Sequence, residues 1–243
     1  MEGIQVQPKE QYDAVMFESL CLDMRTLLSA VRYETELLQH PITKGELELA
    51  KHRVMLHSLA LSDLSSSYLL YREAQNNSEL SMTGVSLSSL LYEVSDKLQA
   101  YAKQENCSFE IDVRSRSGPI YGNREALRAS LMLLGYECIR AVSEQAKGKI
   151  SVVRWAVRTK KDSVVAGIYG DFGLSAKTVV KRIYKEPSLQ KQPLTGFSTG
   201  RGTGLLIVRR LLDVHGVQLK SSTYKHLSGF SLELNKSAQL SLV

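Results

Sequence analysis

Between Tyr12 and Gln39, apolar residues recur at three- and four-residue steps. Phe17, Leu20, Met24, Leu27, Val31 and Leu38 form one stripe, interrupted by polar Glu34. That period predicts an amphipathic helix. Pro41 ends it, because the residue before a proline is pushed out of helical space. Thr43, with Glu46 three residues on, has the form of a capping box that opens a second helix. Its stripe reads Leu47, Ala50, Val54, His57, Leu61, Leu64 and Tyr68. The short Pro-Ile-Thr connection makes the two helices antiparallel neighbours. Tyr33, Leu37, Leu56, Leu59 and Leu70 fall off this seam. A hairpin alone cannot cover them, whereas a second copy would, giving a four-helix bundle. A homodimer is therefore expected.

Asn76 to Gly84 is polar and reads as a linker, dividing the chain into a hairpin domain (10–76) and a second domain (85–236). The second domain opens with an amphipathic helix over Leu87–Tyr101 and an alternating strand over Cys107–Val113. A strong helical pattern follows over Glu125–Val142. Ile150–Val157 and Val164–Tyr169 read as strands joined by a basic turn at Thr159–Asp162. Lys177 to Gly204 is rich in Lys, Pro, Gly and Ser and reads as a long mobile loop. Leu205–His215 is expected to be a helix ended by Gly216, and Val217–Thr223 and Phe230–Leu234 to be strands. Helices and strands that mix without strict alternation fit a two-layer α/β sandwich, so the fold class is α+β.

Composition narrows the function. The 243 residues are 43% hydrophobic and 23% charged, as in an ordinary globular protein. The apolar runs are too short to span a bilayer, and the polar start has no signal-peptide form. A cytoplasmic protein without membrane contact is expected. Cys21, Cys107 and Cys138 are too widely spaced for a metal cluster or a disulfide framework. The net charge of +6 is unevenly placed: residues 1–80 carry 7 Lys/Arg against 12 Asp/Glu, and the remainder 24 against 13. A basic second half suits a polyanionic ligand. Nucleotide is favoured over nucleic acid, because there is no basic run with interleaved aromatics.

The strongest chemical signal is Gly200-Arg201-Gly202-Thr203-Gly204-Leu205, directly before a helix. Glycines let backbone amides approach phosphate, and the helix N-terminus adds partial positive charge. The run is neither a P-loop nor a Rossmann fingerprint; alone, it is also compatible with a plain hinge. Asp171-Phe172-Gly173 follows a strand, where a carboxylate can accept from an adenine amine and Gly173 permits a tight turn; the same tripeptide also fits a surface turn.

Together these pieces resemble the ATPase fold shared by histidine kinases, Hsp90, gyrase B and MutL. Leu205 to Gly216, with the sequence LLIVRRLLDVHG, is similar to the histidine-kinase helix after the glycine loop. Tyr121-Gly122-Asn123-Arg124-Glu125-Ala126-Leu127 resembles the approach to the first nucleotide helix. Asp23 to Val31 resembles the dimerisation and phosphotransfer helix. The resemblance covers Phe17 to Leu234. It implies ATP or ADP bound through Glu137, Arg140, Asp171, Gly173, Gly200, Gly202, Thr203, Gly204 and Leu205. It also implies Mg²⁺ held by Glu137, and a response regulator receiver domain or another signalling protein as partner.

The chain departs from the family at telling places. The phosphate-accepting histidine would directly precede Asp23, and Leu22 stands there. Leu133 and Glu137 replace the two usual asparagines of the nucleotide helix; Glu137 remains a hard oxygen ligand that could hold Mg²⁺ or repel a metal-free triphosphate. Phe172 and Ser175 replace a usual asparagine and glycine. Three functions compete. The first is a pseudokinase that regulates a partner by contact. The second is an enzyme, either a kinase of another residue or a response-regulator phosphatase in which Asp23 and Thr26, one helical face, orient water. The third is a phosphotransfer protein using His57, which reads otherwise as a buried bundle histidine.

Overall fold

The computed structural model describes residues 8–76, 80–113, 118–145, 150–172, 175–185 and 202–237. Helix α1 spans Pro8–Leu37 and α2 spans Lys44–Gln75. The capping box is present: the Thr43 hydroxyl accepts from the Glu46 N–H, and the Glu46 carboxylate accepts from the Thr43 N–H at 2.8 Å. The two helices pack side by side, as the short turn requires. The seam is turned from the expected one. Met16, Leu20 and Asp23 are buried on α1, whereas Phe17 is 56% exposed. Of the off-seam residues, Tyr33 and Leu59 stay exposed and Leu56 is buried.

Strand β1 (Thr83–Val85) pairs antiparallel with β3 (Ile120–Gly122), a short ladder that reaches into the expected linker. Helix α3 (Leu87–Gln104) is N-capped by Ser86. A five-stranded sheet holds β2 (Cys107–Val113), β4 (Ser151–Thr159), β5 (Ser163–Gly170), β6 (Lys220–Tyr224) and β7 (Leu227–Asn235). Its order is β2-β4-β5-β7-β6, with β2 and β4 parallel and the other pairs antiparallel. Helix α4 (Arg124–Gln145) lies on one face of the sheet, between α3 and α6 (Thr203–Asp213). Strand residues alternate accordingly: Val153, Trp155 and Val157 of β4, Ile168 of β5 and Phe230 and Leu232 of β7 point into the core.

The expected long loop from Lys177 is corrected in its first part. Residues Ala176–Ile183 form helix α5, whose Ala176, Val179 and Ile183 recur at helical spacing and are buried. That burial overrides a locally polar composition. Residues 186–201 lie outside the described residues, and with them the rest of that expectation.

The hairpin lies against the sandwich. Helix α2 packs on α4 and α6, α1 touches α6, and one continuous apolar core runs from Met16 and Leu64 through Leu133 to Trp155. The Tyr136 hydroxyl donates to Asp63 at 3.0 Å across this junction. No helix of the described residues is long and apolar enough to cross a membrane.

His215 ties α4 and α6 together. The Asn123 side chain accepts from the Ala126 N–H at 2.8 Å and so caps α4, while the Asn123 N–H donates to His215 Nε2 at 3.0 Å. An accepting Nε2 puts the proton on Nδ1, which donates to the Leu211 carbonyl at 2.8 Å. His215 is thus a neutral link between the start of α4 and the end of α6. Burial lowers its pKa, against the raising effect of the Leu211 hydrogen bond.

Two predictions follow from these contacts. A depressed histidine pKa means that the unfolded chain binds the proton more readily, so the stability His215 contributes is present above about pH 6.5 and is lost as pH falls below it. Urea unfolding at pH 7.5 and 5.5 should give a smaller pH difference for His215→Gln than for the native chain; the slope left over belongs partly to His57, whose pKa burial also lowers. Thr43→Ala should cost about 1 kcal/mol in the same assay through loss of the cap.

Candidate functional site

The site forms where α1, α4 and α6 meet. Gly202 is the N-cap of α6, with φ 79° and ψ 26°, a left-handed conformation that a side chain would strain. This turn aims the first amides of α6 at the hairpin. Thr203, Gly204 and Leu205 follow in the first turn and are all buried. Gly204 is also needed for space: a Cβ there would lie 2.9 Å from Glu137 Oε1. Of the other sequence-expected residues, Gly173 and Gly200 lie outside the described residues.

Helix α4 contributes Glu137 and Arg140, one turn apart. Glu137 is 3% exposed, and Arg140 Nη2 donates to its Oε1 at 2.5 Å. Burial opposes the charge on Arg140, but the Glu137 carboxylate, with Asp23 among the further contributors, outweighs it and raises the pKa, so the guanidinium stays charged. Leu133, one turn before Glu137, presents only an apolar surface to the same cavity. Among the described residues, no group of three or more His, Cys, Asp or Glu side chains could hold a metal ion. Glu137 faces Arg140 and Gly204 in this arrangement.

Asp23 enters from α1. It is 6% exposed, and Asp23 Oδ2 accepts the Thr203 N–H at 3.0 Å. The hairpin carboxylate therefore sits at the N-terminus of α6, where an anion is favoured by the helix dipole and by free amides. Thr26 lies elsewhere: it is exposed, and its hydroxyl donates to the Leu22 carbonyl at 3.0 Å. Asp23 and Thr26 do not share an open face here, because the sandwich covers one of them.

Asp171 is exposed just beyond β5. Phe172 is buried, with its ring centroid 6.0 Å from that of Phe230. A nucleotide base that reached Asp171 would meet an exposed carboxylate. The phosphate end does not fit while the hairpin is docked: Asp23 holds the Thr203 amide, and Glu137 fills the space at Gly204. His57 is half-buried on α2, with Nε2 3.5 Å from Nε2 of Gln104, the last residue of α3. The pairing of Asp23 with Thr203 was missed from sequence, since nothing local marks a contact across 180 residues.

No protein-family model and no curated protein matches the chain. Solved structures do. The histidine kinase AdeS of Acinetobacter baumannii superposes with a TM-score of 0.54 at 15% identity, over 88% of this chain and 98% of that one. Full-length ShkA, solved in complex with AMPPNP, gives 0.57 at 16% identity over 96% of this chain and 47% of ShkA. Histidine kinase ThkA, solved in complex with the response regulator protein TrrA, gives 0.53 at 16% identity over 90% of this chain and 60% of that one. The likeness runs through hairpin and sandwich together, and the chain accordingly has the fold of a histidine kinase core: a helical hairpin followed by an ATPase-type α/β sandwich.

Proposed function

We propose that this chain is a histidine-kinase-like signalling protein that acts by contact: a pseudokinase that pairs with a second copy through its hairpin and docks a response regulator receiver domain. ATP or ADP would be a regulatory ligand of the sandwich, bound through the Gly202–Leu205 turn and Asp171. The observation that carries this reading is the pair Leu22 and Asp23. The leucine offers no atom to phosphorylate, and the neighbouring carboxylate is engaged by the Thr203 amide at 3.0 Å. The solved complex of ThkA with TrrA supports a receiver domain as the class of partner. The apolar side chains left outside on the hairpin support pairing, among them Tyr33 and Leu59.

The alternative of a response-regulator phosphatase through Asp23 and Thr26 requires the hairpin to leave the sandwich first, so that both side chains face one partner. Phosphotransfer through His57 gains no support from its half-buried setting beside Gln104. Mg²⁺ at Glu137 would likewise require the Arg140 pair to open.

The reading is tested by incubating the full chain with γ-labelled ATP, then adding phosphorylated receiver domains of response regulators. No label should appear on the chain. Binding of a receiver should survive Asp23→Ala combined with Thr26→Ala. Label on His57, or receiver dephosphorylation lost in the double variant, would replace the contact reading by the corresponding enzymatic one. By light scattering, the chain should have twice the monomer mass, and Tyr33→Glu with Leu59→Glu should return it to the monomer. A monomeric native chain would remove the pairing.

A further inference from the structure

The N-terminus of α6 carries more than the fold asks of it. Its first amide is taken by a carboxylate from a different part of the chain, Asp23. The Thr203 hydroxyl in the same turn is completely buried and has no hydrogen-bond partner among the described residues; the Nε of Arg140 is in the same condition. Buried polar atoms left without partners are uncommon, and at such a place they mark a site built for more oxygen atoms than a single carboxylate brings. Asp23, Leu27, Leu64, Leu133, Glu137 and Arg140 enclose a cavity of about 20 Å³ beside this turn, room for about one water. A phosphate cannot enter while Asp23 is in place, and two carboxylates facing one guanidinium leave the local charge unfavourable for it.

We propose that the Asp23 carboxylate is an internal stand-in for phosphate, which clasps the hairpin to the sandwich by occupying the anion position of α6, so that hairpin docking and polyphosphate nucleotide binding exclude one another. The inference rests on the reading of the glycine-led turn as a nucleotide cradle. By linkage, whatever binds the cradle favours the released hairpin, and whatever holds the hairpin on the sandwich weakens the nucleotide. Release would uncover Asp23 beside Leu22 and Thr26, the face on which a receiver would dock. Tyr136 and Asp63 form a second clasp that the nucleotide does not contest directly, so release also has to break this contact.

The test is calorimetric titration of the full chain with ATP, for the native protein, Asp23→Asn, and Glu36→Gln as a control that removes a charge from an exposed part of the same helix. Amide hydrogen exchange over residues 16–27 and 60–71 is followed with and without ATP. Loss of a charge-assisted hydrogen bond predicts that Asp23→Asn binds ATP about tenfold or more tightly than the native chain. Glu36→Gln should match the native affinity, and saturating ATP should speed exchange in both hairpin segments. ATP binding of equal strength in native and Asp23→Asn chains, or hairpin protection unchanged at saturation, would overturn the exclusion and leave the nucleotide reading standing. No binding by either chain up to millimolar ATP would overturn the nucleotide reading and the exclusion with it.

Discussion

Helix α4 has no solvent face along its middle. Every residue from Ala129 to Ile139 is buried, between the sheet on one side and α3, α6 and the hairpin on the others. An ionised side chain in such a place needs a partner, because desolvation of an unpaired charge costs several kcal/mol. Glu137 and Arg140 answer that need by pairing at 2.5 Å. Tyr136, in the same turn, sends its hydroxyl to Asp63 of the hairpin. The Tyr136–Asp63 and Thr203–Asp23 contacts thus tie the hairpin to α4 and α6. Apolar packing brings α2 onto α4 and α6, but the Asp63 and Asp23 contacts select one register among the sliding positions that a greasy surface alone would allow.

The same constraint bears on chemistry. A glycine-led helix end attracts an anion wherever the anion comes from. In this chain the nearest one is intramolecular and is held without the translational entropy cost that a free ligand pays. Leu22, next to it in sequence, carries no nucleophile that turning this part of α1 inward would hide. Leu22 and the burial of Asp23 are physically consistent with each other, and both fit the contact reading proposed for the hairpin.

What could be read from the sequence was whatever has a local period or a local cap. The Thr43–Glu46 box, the α3 stripe, the helical pattern of α4 and the glycine turn of α6 are of this kind, and each is found in the structure. Helix α5 was hidden because its three buried positions are diluted by Lys177, Thr178, Lys181 and Arg182, which make the segment look like loop. The β1–β3 ladder has three residues a side, too short for a pattern. The β6–β7 turn is made by Lys225 and His226, both at positive φ, without the glycine or asparagine that announces such a turn. In the site, the α6 turn was legible and its occupant was not. Nothing near Asp23 in the sequence distinguishes a carboxylate that faces water from one that caps a helix 180 residues away.

The displaced seam of α1 has a consequence for assembly. A helix that packed only on α2 would bury Phe17 in its stripe; this one also touches α6, and its buried face is turned to include Met16, Ser19 and Asp23. Phe17, Leu28 and Tyr33 are left outside on α1, and Leu49, Met55, Leu59 and Leu69 on α2. The surface that docks on the sandwich and the apolar surface left for the proposed second copy are therefore different sets of side chains. Pairing does not have to be given up when the hairpin docks, nor docking when it pairs. Any signal that moves Asp23 off the Thr203 amide would then change what the hairpin shows to the proposed receiver without first taking the proposed dimer apart.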